Sequence, residues 1–508
     1  MGTANGHGPR AMRVVIVGAG FGGIAAAIEL RRKGFEDIVI LEQGPGIGGT
    51  WLFNSYPGCA CDVPSHLYSY SFEQRRNWSR LCSLQSEILD YLRDVARRHG
   101  VDRLVRANTT VTGCTWDERR GRWSVEVTDG ESIQADAVVF ATGQLHKPAL
   151  PRIEGRESFA GVSFHSAEWD HDYDMRGKRV AIVGTGASAV QIVPEIAPKV
   201  GRLEVFQRTG NWFLPRRNRP YPGALRAAVS TLPIVQELRR LFIFYYTEGL
   251  TMTIRHPRTL GRLAALRSAL FMRSQIRDGE LRRRIWPDYT FGCKRVLFSS
   301  YFLPALQRPN VEVTTEAITE VRPEGLLTAD GRLHEVDCIV WATGFRTHDF
   351  VLPMRVTGRQ GRTLEQAWGA SPRAYLGMTV PGFPSMFLMY GPNTNTSGGS
   401  ILVYLEAQAA YIAQALCHVR ASGAAAVDVK ADVEDAADAA VQARFAGTAW
   451  EQCASWYRQE DGRIVANWPG YMRDYVAATR VLDAEDYELV PRPEAAPVPA
   501  EIAGGARV

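Results

Sequence analysis

The sequence lacks most of the features that would place it in a simple class. Its eight cysteines contain no CxxC, and the one close pair is Cys59-x-Cys61. A zinc ribbon and a reductase dithiol are therefore unsupported, and the scattered thiols read as reduced, the state expected in the cytoplasm. No apolar run reaches the ~18 residues of a membrane span. The most apolar later stretch, residues 241–246, is short and bounded by Arg239, Arg240 and Glu248. The opening segment MGTANGHGPRAM is polar and glycine-rich and does not read as a secretory signal. Charge of one sign is also scarce. A net +5 over 508 residues is small for a nucleic-acid binder, so the excess is expected to act locally, on a phosphorylated cofactor.

What is present is a duplicated pattern in a chain long enough for two or three domains. The apolar run 14–17 leads into Gly18-Ala19-Gly20-Phe21-Gly22-Gly23, a helical stretch follows, and a second apolar run ends on Glu42, 24 residues after Gly18. This is a βαβ unit with a GxGxxG turn at Gly18, Gly20 and Gly23. The first glycine makes the turn, the second admits a pyrophosphate and the third lets helix and strand pack. The helix N-terminus offers unpaired N–H groups to phosphate, and the terminal acid can accept hydrogen bonds from ribose hydroxyls. The pattern returns at 179–183 with Gly184-Thr185-Gly186-Ala187-Ser188-Ala189, but its second strand ends on Gln207-Arg208-Thr209. A guanidinium there binds a 2′-phosphate that a carboxylate would repel. The first unit is thus expected to take FAD and the second NADPH. Two Ala-Thr-Gly segments, 141–143 and 342–344, each follow an acid (Asp136, Asp337) and an apolar strand. They are expected where the chain crosses between domains.

Three further segments carry a family resemblance. Phe159-x-Gly161-x-x-x-His165-x-x-x-Trp169-Asp170 fits the FxGxxxHxxxW[P/D] fingerprint of type I Baeyer–Villiger monooxygenases at every specified position. A chance match in a chain of this length has odds of about one in ten thousand. Gly48-Gly49-Thr50-Trp51, followed by Tyr56-Pro57-Gly58 and Asp62, resembles that family's second fingerprint. Lys294-Arg295 resembles the pair that in these enzymes meets NADP and the flavin.

The resemblance, from about residue 12 to about residue 470, implies an α/β fold of two Rossmann-like dinucleotide-binding domains with a helical insertion. Residues 12–148 and 381–490 are expected to form the FAD domain, 149–221 and 292–380 the NADP domain, 222–291 the insertion, and 491–508 a disordered tail. It implies a monooxygenase that uses FAD, NADPH and O2 to insert oxygen beside a ketone carbonyl, through a peroxyflavin, giving an ester or lactone. Arg295 is expected to stabilise the oxyanion, Asp62 to hold its guanidinium, and Lys294 to reach the 2′-phosphate with Arg208. Trp51 is expected to pack near the flavin and Trp456 to touch the nicotinamide nucleotide. Phe159, Gly161, His165, Trp169 and Asp170 read as a conformational linker, with His165 a packed anchor. The arginines of the insertion read as a solvated helix face, with no membrane or nucleic-acid partner. Nitrogen or sulfur oxygenation on the same architecture, an oxidase or reductase, and a non-catalytic nucleotide sensor stay open as alternatives.

Overall fold

The computed structural model describes residues 11–223, 233–396, 398–459 and 461–493. A parallel five-stranded sheet runs in the order Met386–Leu388, Ala137–Phe140, Val14–Val17, Ile38–Leu41, Val105–Arg106. Val14 pairs with both Ile38 and Ala137. Alternate residues of a strand face opposite ways, and here both faces are covered. Val14 and Ile16 pack with helix α1 (Phe21–Arg32). Val15 and Val17 pack with Trp116, Trp123 and Val125 of an antiparallel sheet (Val111–Asp117, Arg122–Val127, Ser132–Ala135). That is why Val14–Val17 is apolar at every position instead of alternating.

The second unit repeats the plan, in the order Val311–Thr314, Arg202–Phe206, Arg179–Val183, Cys338–Trp341, Val162–His165. Val180 and Ile182 face helix α2 (Ala187–Ile196), and Ala181 faces a small antiparallel sheet through Val321 and Leu326. The two acids ahead of the Ala-Thr-Gly strands do the same work in each unit. Asp136 accepts the Arg13 N–H at 2.7 Å, and Asp337 accepts the Arg179 N–H at 2.8 Å. Each carboxylate thus satisfies a donor at the start of a central strand and is neutralised by an arginine, Arg122 or Arg179.

The insertion comprises helices α3 (Pro233–Arg255) and α4 (Leu260–Gln275) and a short helix, Gly279–Ile285. Helix α3 lies on the first unit, where Ile243 packs with Leu67, Tyr404 and Tyr475. Helix α4 is tied to the second, through Ser268 donating to the Phe213 carbonyl at 2.7 Å.

Several expectations need correction. The sequence places residues 350–368 in the NADP domain, but Arg355–Thr357 pairs with Val111–Asp117, and Phe350, Leu364 and Trp368 join the core of the first unit. The chain returns to that unit some 30 residues earlier than its turn signals suggest. The thiols are not all reduced: Cys293 and Cys453 form a disulfide across 160 residues. Only the packing of two loops brings them together, and no local spacing announces such a pair. Of the tail expected to be disordered, residues 491–493 are ordered, with Arg492 donating to the Ala424 carbonyl. Residues 494–508 lie outside the described residues.

Candidate active site

Both glycine turns are cramped where backbone must meet backbone and open where a nucleotide must enter. Gly18 sits at φ +107°, and a Cβ there would lie 2.6 Å from the Ala141 carbonyl oxygen. Gly184 repeats this at φ +110°, 2.5 Å from the Ala342 oxygen. The Ala-Thr-Gly segments are therefore the partners of the first glycines, each unit closing its turn against its own crossing strand. A Cβ on Gly23 would meet the Gly18 oxygen at 1.9 Å, so the third glycine is required for the turn itself. Gly20 and Gly49 lie backbone to backbone, with a Gly49 Cβ only 2.9 Å from the Gly20 Cα. No side chain can rise there over the N-terminus of α1. A Cβ on Gly186, at the N-terminus of α2, meets nothing within 4 Å, which is the open approach a pyrophosphate needs.

Glu42 is buried and ties the first turn together, accepting from the Ala19 N–H at 2.8 Å and the Gly44 N–H at 2.7 Å. Each oxygen keeps a second lone pair for a ribose hydroxyl. Trp51, one residue into the short helix begun by Thr50, is held by its Nε1 donating to the Tyr68 hydroxyl at 3.0 Å. In the second unit, the Thr185 hydroxyl and carbonyl are bridged to Thr209 and Asn211.

The positive charges converge. Arg295 donates to Asp62 Oδ2 through Nη2 at 2.6 Å and Nε at 3.1 Å. The Arg295 side chain keeps 44% of its surface accessible. Burial pushes the Asp62 carboxyl up, but Arg295 and Arg216 outweigh that and hold it below its ordinary value. The Asp62 charge in turn raises the pKa of Arg295. Tyr457, driven up to about 12 mainly by burial, and Tyr390 flank the same guanidinium and stay neutral. Lys294 lies 4.7 Å from the Tyr289 ring centre. Burial lowers its pKa, Asp288 opposes this, and neighbouring Arg208 adds to it. Arg295 and Arg216 thus surround Asp62, and Lys294 and Arg208 have Asp288 between two positive charges, so cations outnumber carboxylates two to one. The excess suits the phosphates of a dinucleotide, and with the open Gly186 approach it fits the pattern of two bound nucleotides.

The chain is similar to known proteins over nearly its whole length. A family model described as pyridine nucleotide-disulphide oxidoreductase matches residues 15–222, the stretch holding both glycine turns. A Baeyer-Villiger monooxygenase of Streptomyces coelicolor is 42% identical over 97% of this chain and 95% of its own. The chain belongs to the Baeyer–Villiger monooxygenase family. A second such enzyme, from Pseudomonas aeruginosa, is 40% identical over 96% of this chain and 93% of its own. The solved structure of OTEMO in complex with FAD and NADP superposes with a TM-score of 0.84 at 27% identity, covering 94% of this chain and 99% of that one.

In this monooxygenase the fingerprint at 159–170 is less of a free linker than its sequence suggests. Val162–His165 is the edge strand of the second sheet, with His165 opposite Trp341. His165 is buried, its Nδ1 accepts the Ala167 N–H at 3.1 Å, and its ring meets Phe345 edge-on at 5.5 Å. It is a packed histidine attached to the second Ala-Thr-Gly crossing. A Gly161 Cβ would strike the Asp337 oxygen at 2.6 Å, and Phe159 packs beneath. Trp169 stands edge-on to Phe164, and Asp170 caps the following turn through the Asp172 and Tyr173 N–H groups. Trp456 is 41% exposed and rests on Tyr457, which faces Arg295.

Sequence reasoning passed over Gln191, which joins the two units. Its Oε1 accepts from Tyr56 and the Ala60 N–H, its Nε2 donates to the Ala60 carbonyl, and Gly58 lies against its backbone. The Tyr-Pro-Gly segment is therefore where the first unit docks on α2. Arg216, donating to the Cys61 carbonyl at 2.8 Å, was missed as well. Neither sits in a motif, and only their tertiary neighbours reveal them.

Proposed function

We propose that the chain is an FAD- and NADPH-dependent Baeyer–Villiger monooxygenase that inserts one oxygen atom of O2 beside the carbonyl of a small-molecule ketone. The observation that carries this reading is Arg295, fixed by Asp62 and followed in space by Lys294 and Arg208, two cations that share the single carboxylate of Asp288. Gly18, Gly20, Gly23, Gly49 and Glu42 would hold FAD, and Gly184, Thr185, Gly186, Ser188, Arg208, Thr209 and Lys294 the NADPH. Bound FAD, reduced by NADPH, supplies the activation of O2. Arg295 holds a fixed positive charge where an oxyanion must survive without bulk water. Asp62 orients that guanidinium and removes part of its charge, so the site stabilises an anion without trapping it. Arg208 and Lys294 select the 2′-phosphate and keep the nucleotide in place during turnover. His165 and its neighbours couple movements of the NADP sheet to the Ala342-Thr343-Gly344 crossing. Dependence on NADPH, regenerated inside cells, supports a cytoplasmic location.

The deciding experiment is a product screen with NADPH, O2 and cyclic, aryl and polycyclic ketones, with sulfides alongside. Esters or lactones from ketones are expected. Sulfoxide formation with no ester from any ketone would assign the chain to heteroatom oxygenation instead.

A further inference from the structure

The outer helices of the insertion expose more large apolar side chains than they bury. Toward the protein, α3 turns only two large apolar residues, Ile243 and Ile254, beside the buried Gln236, Thr247, Glu248 and Thr251 and Arg240, which donates to the His66 and Ser69 carbonyls. Toward solvent it turns Leu238, Leu241, Phe242, Tyr245 and Tyr246, each between 51% and 70% exposed. At 3.6 residues per turn these five fall within an arc of about 140°, a single continuous face. Helix α4, packed beside α3, adds Leu263, Leu266 and Leu270, exposed by 56–65%. Single exposed leucines are ordinary, but eight large apolar side chains on two adjacent helices make a patch of the kind that marks an interaction surface.

The charges around the patch decide what it meets. Residues 233–277 carry eight arginines, no lysine, no aspartate and only two glutamates, and one of these, Glu248, is buried beneath α3. Arg258, Arg262, Arg267 and Arg273 are exposed alongside the α4 leucines. Two copies meeting through this face would bring like charges together. A partner with an apolar interior and an anionic rim fits, and an anionic bilayer is that partner. Leucines and Phe242 would enter the headgroup–acyl boundary, tyrosines would lie at its level, and guanidinium groups would pair with lipid phosphates. No helix among the described residues is long and apolar enough to cross a membrane, so the contact is peripheral. We propose that the α3–α4 face docks on an anionic lipid surface, reversing the reading of its arginines as merely solvated.

The test is flotation of the FAD-loaded enzyme with vesicles of phosphatidylcholine containing phosphatidylglycerol, against phosphatidylcholine alone, at low and high salt. Light scattering on the same samples reports oligomeric state. Binding is expected to the anionic vesicles only, weakening with salt. Replacing Arg258, Arg262 and Arg267 together by Gln should lower partitioning by about a hundredfold. Phe242→Ser with Tyr246→Ser should also release the enzyme, while thermal stability and NADPH oxidation in solution stay unchanged. Failure to bind anionic vesicles at low salt, or binding indifferent to both variants, would overturn the proposal. So would a dimer that the Phe242/Tyr246 double variant converts to monomer, which would assign the face to a second copy of the chain.

Discussion

Asp62 receives both hydrogen bonds from Arg295 on one oxygen, Oδ2, at 2.6 and 3.1 Å, across 233 residues of sequence. The pair uses the Nε–Nη2 edge of the guanidinium, and among the described residues Nη1 has no acceptor. Asp62 thus fixes the group without consuming it. Removing a preorganised donor to an oxyanion commonly costs about 10²–10³ in rate. Arg295→Ala should keep FAD and still oxidise NADPH, but ester formation should fall by about that factor and hydrogen peroxide should rise in its place. A peroxide assay run beside product quantification checks this, and normal ester yields would refute the role.

Arg208 and Lys294 stand close enough for the charge of one to lower the pKa of the other, a cost that a phosphate between them would relieve. A charge-assisted hydrogen bond to phosphate contributes about 1.5–3 kcal/mol. Arg208→Ala should therefore raise KM for NADPH by about 10–100-fold and leave NADH use little changed. Parallel steady-state kinetics with the two nucleotides decide it. An equal loss with both would place Arg208 outside the 2′-phosphate site.

The glycines allow a cleaner contrast. Gly186→Ala places a methyl group in open space, so the fold should tolerate it, with melting temperature unchanged, while binding of NADPH and NADH alike weakens. Gly23→Ala puts a Cβ 1.9 Å from a carbonyl oxygen and should yield protein that retains little FAD. Flavin absorbance per polypeptide, with thermal melts, separates the two. A Gly186→Ala variant that melted early yet bound NADPH normally would show that this glycine serves the fold and not the ligand.

Asp428, in the strand Ala426–Val429, is buried and accepts the Gly382 N–H at 2.9 Å. Burial lifts its pKa to about 6, against the opposing effects of Gly382 and Arg359. The folded state keeps this proton where the unfolded chain has lost it, so stability contributed at this site falls as pH rises from about 4 to about 6. Asp428→Asn preserves the acceptor and removes the charge. It should be more stable than the parent near pH 7.5, on the order of 2 kcal/mol, with the difference vanishing below about pH 4. Thermal melts across that range test the sign.

How far the site could be read from sequence follows from how local each determinant is. Gly18, Gly23 and Glu42 act through their own turn and the strands beside it, so spacing alone exposes them. Asp136 and Asp337 were legible because each sits one residue before an apolar strand, where the open donor of a neighbouring strand waits. Arg295 and Asp62 were legible only through resemblance, since 233 residues separate them. Gln191 was not legible at all. A glutamine on an amphipathic helix has no signature, and its meaning comes from the Tyr56–Ala60 segment that folds against it.

The sequence by itself determined two dinucleotide units, their glycine turns and the cation that ends the second, because these depend on backbone sterics and charge within a few residues. Tertiary structure alone decided three other matters. It returned residues 350–368 to the first unit, joined Cys293 to Cys453, and left the broader apolar face of α3 uncovered. Each depends on which surfaces meet after the chain has crossed between domains, and apolar periodicity does not say which face of a helix will find a partner.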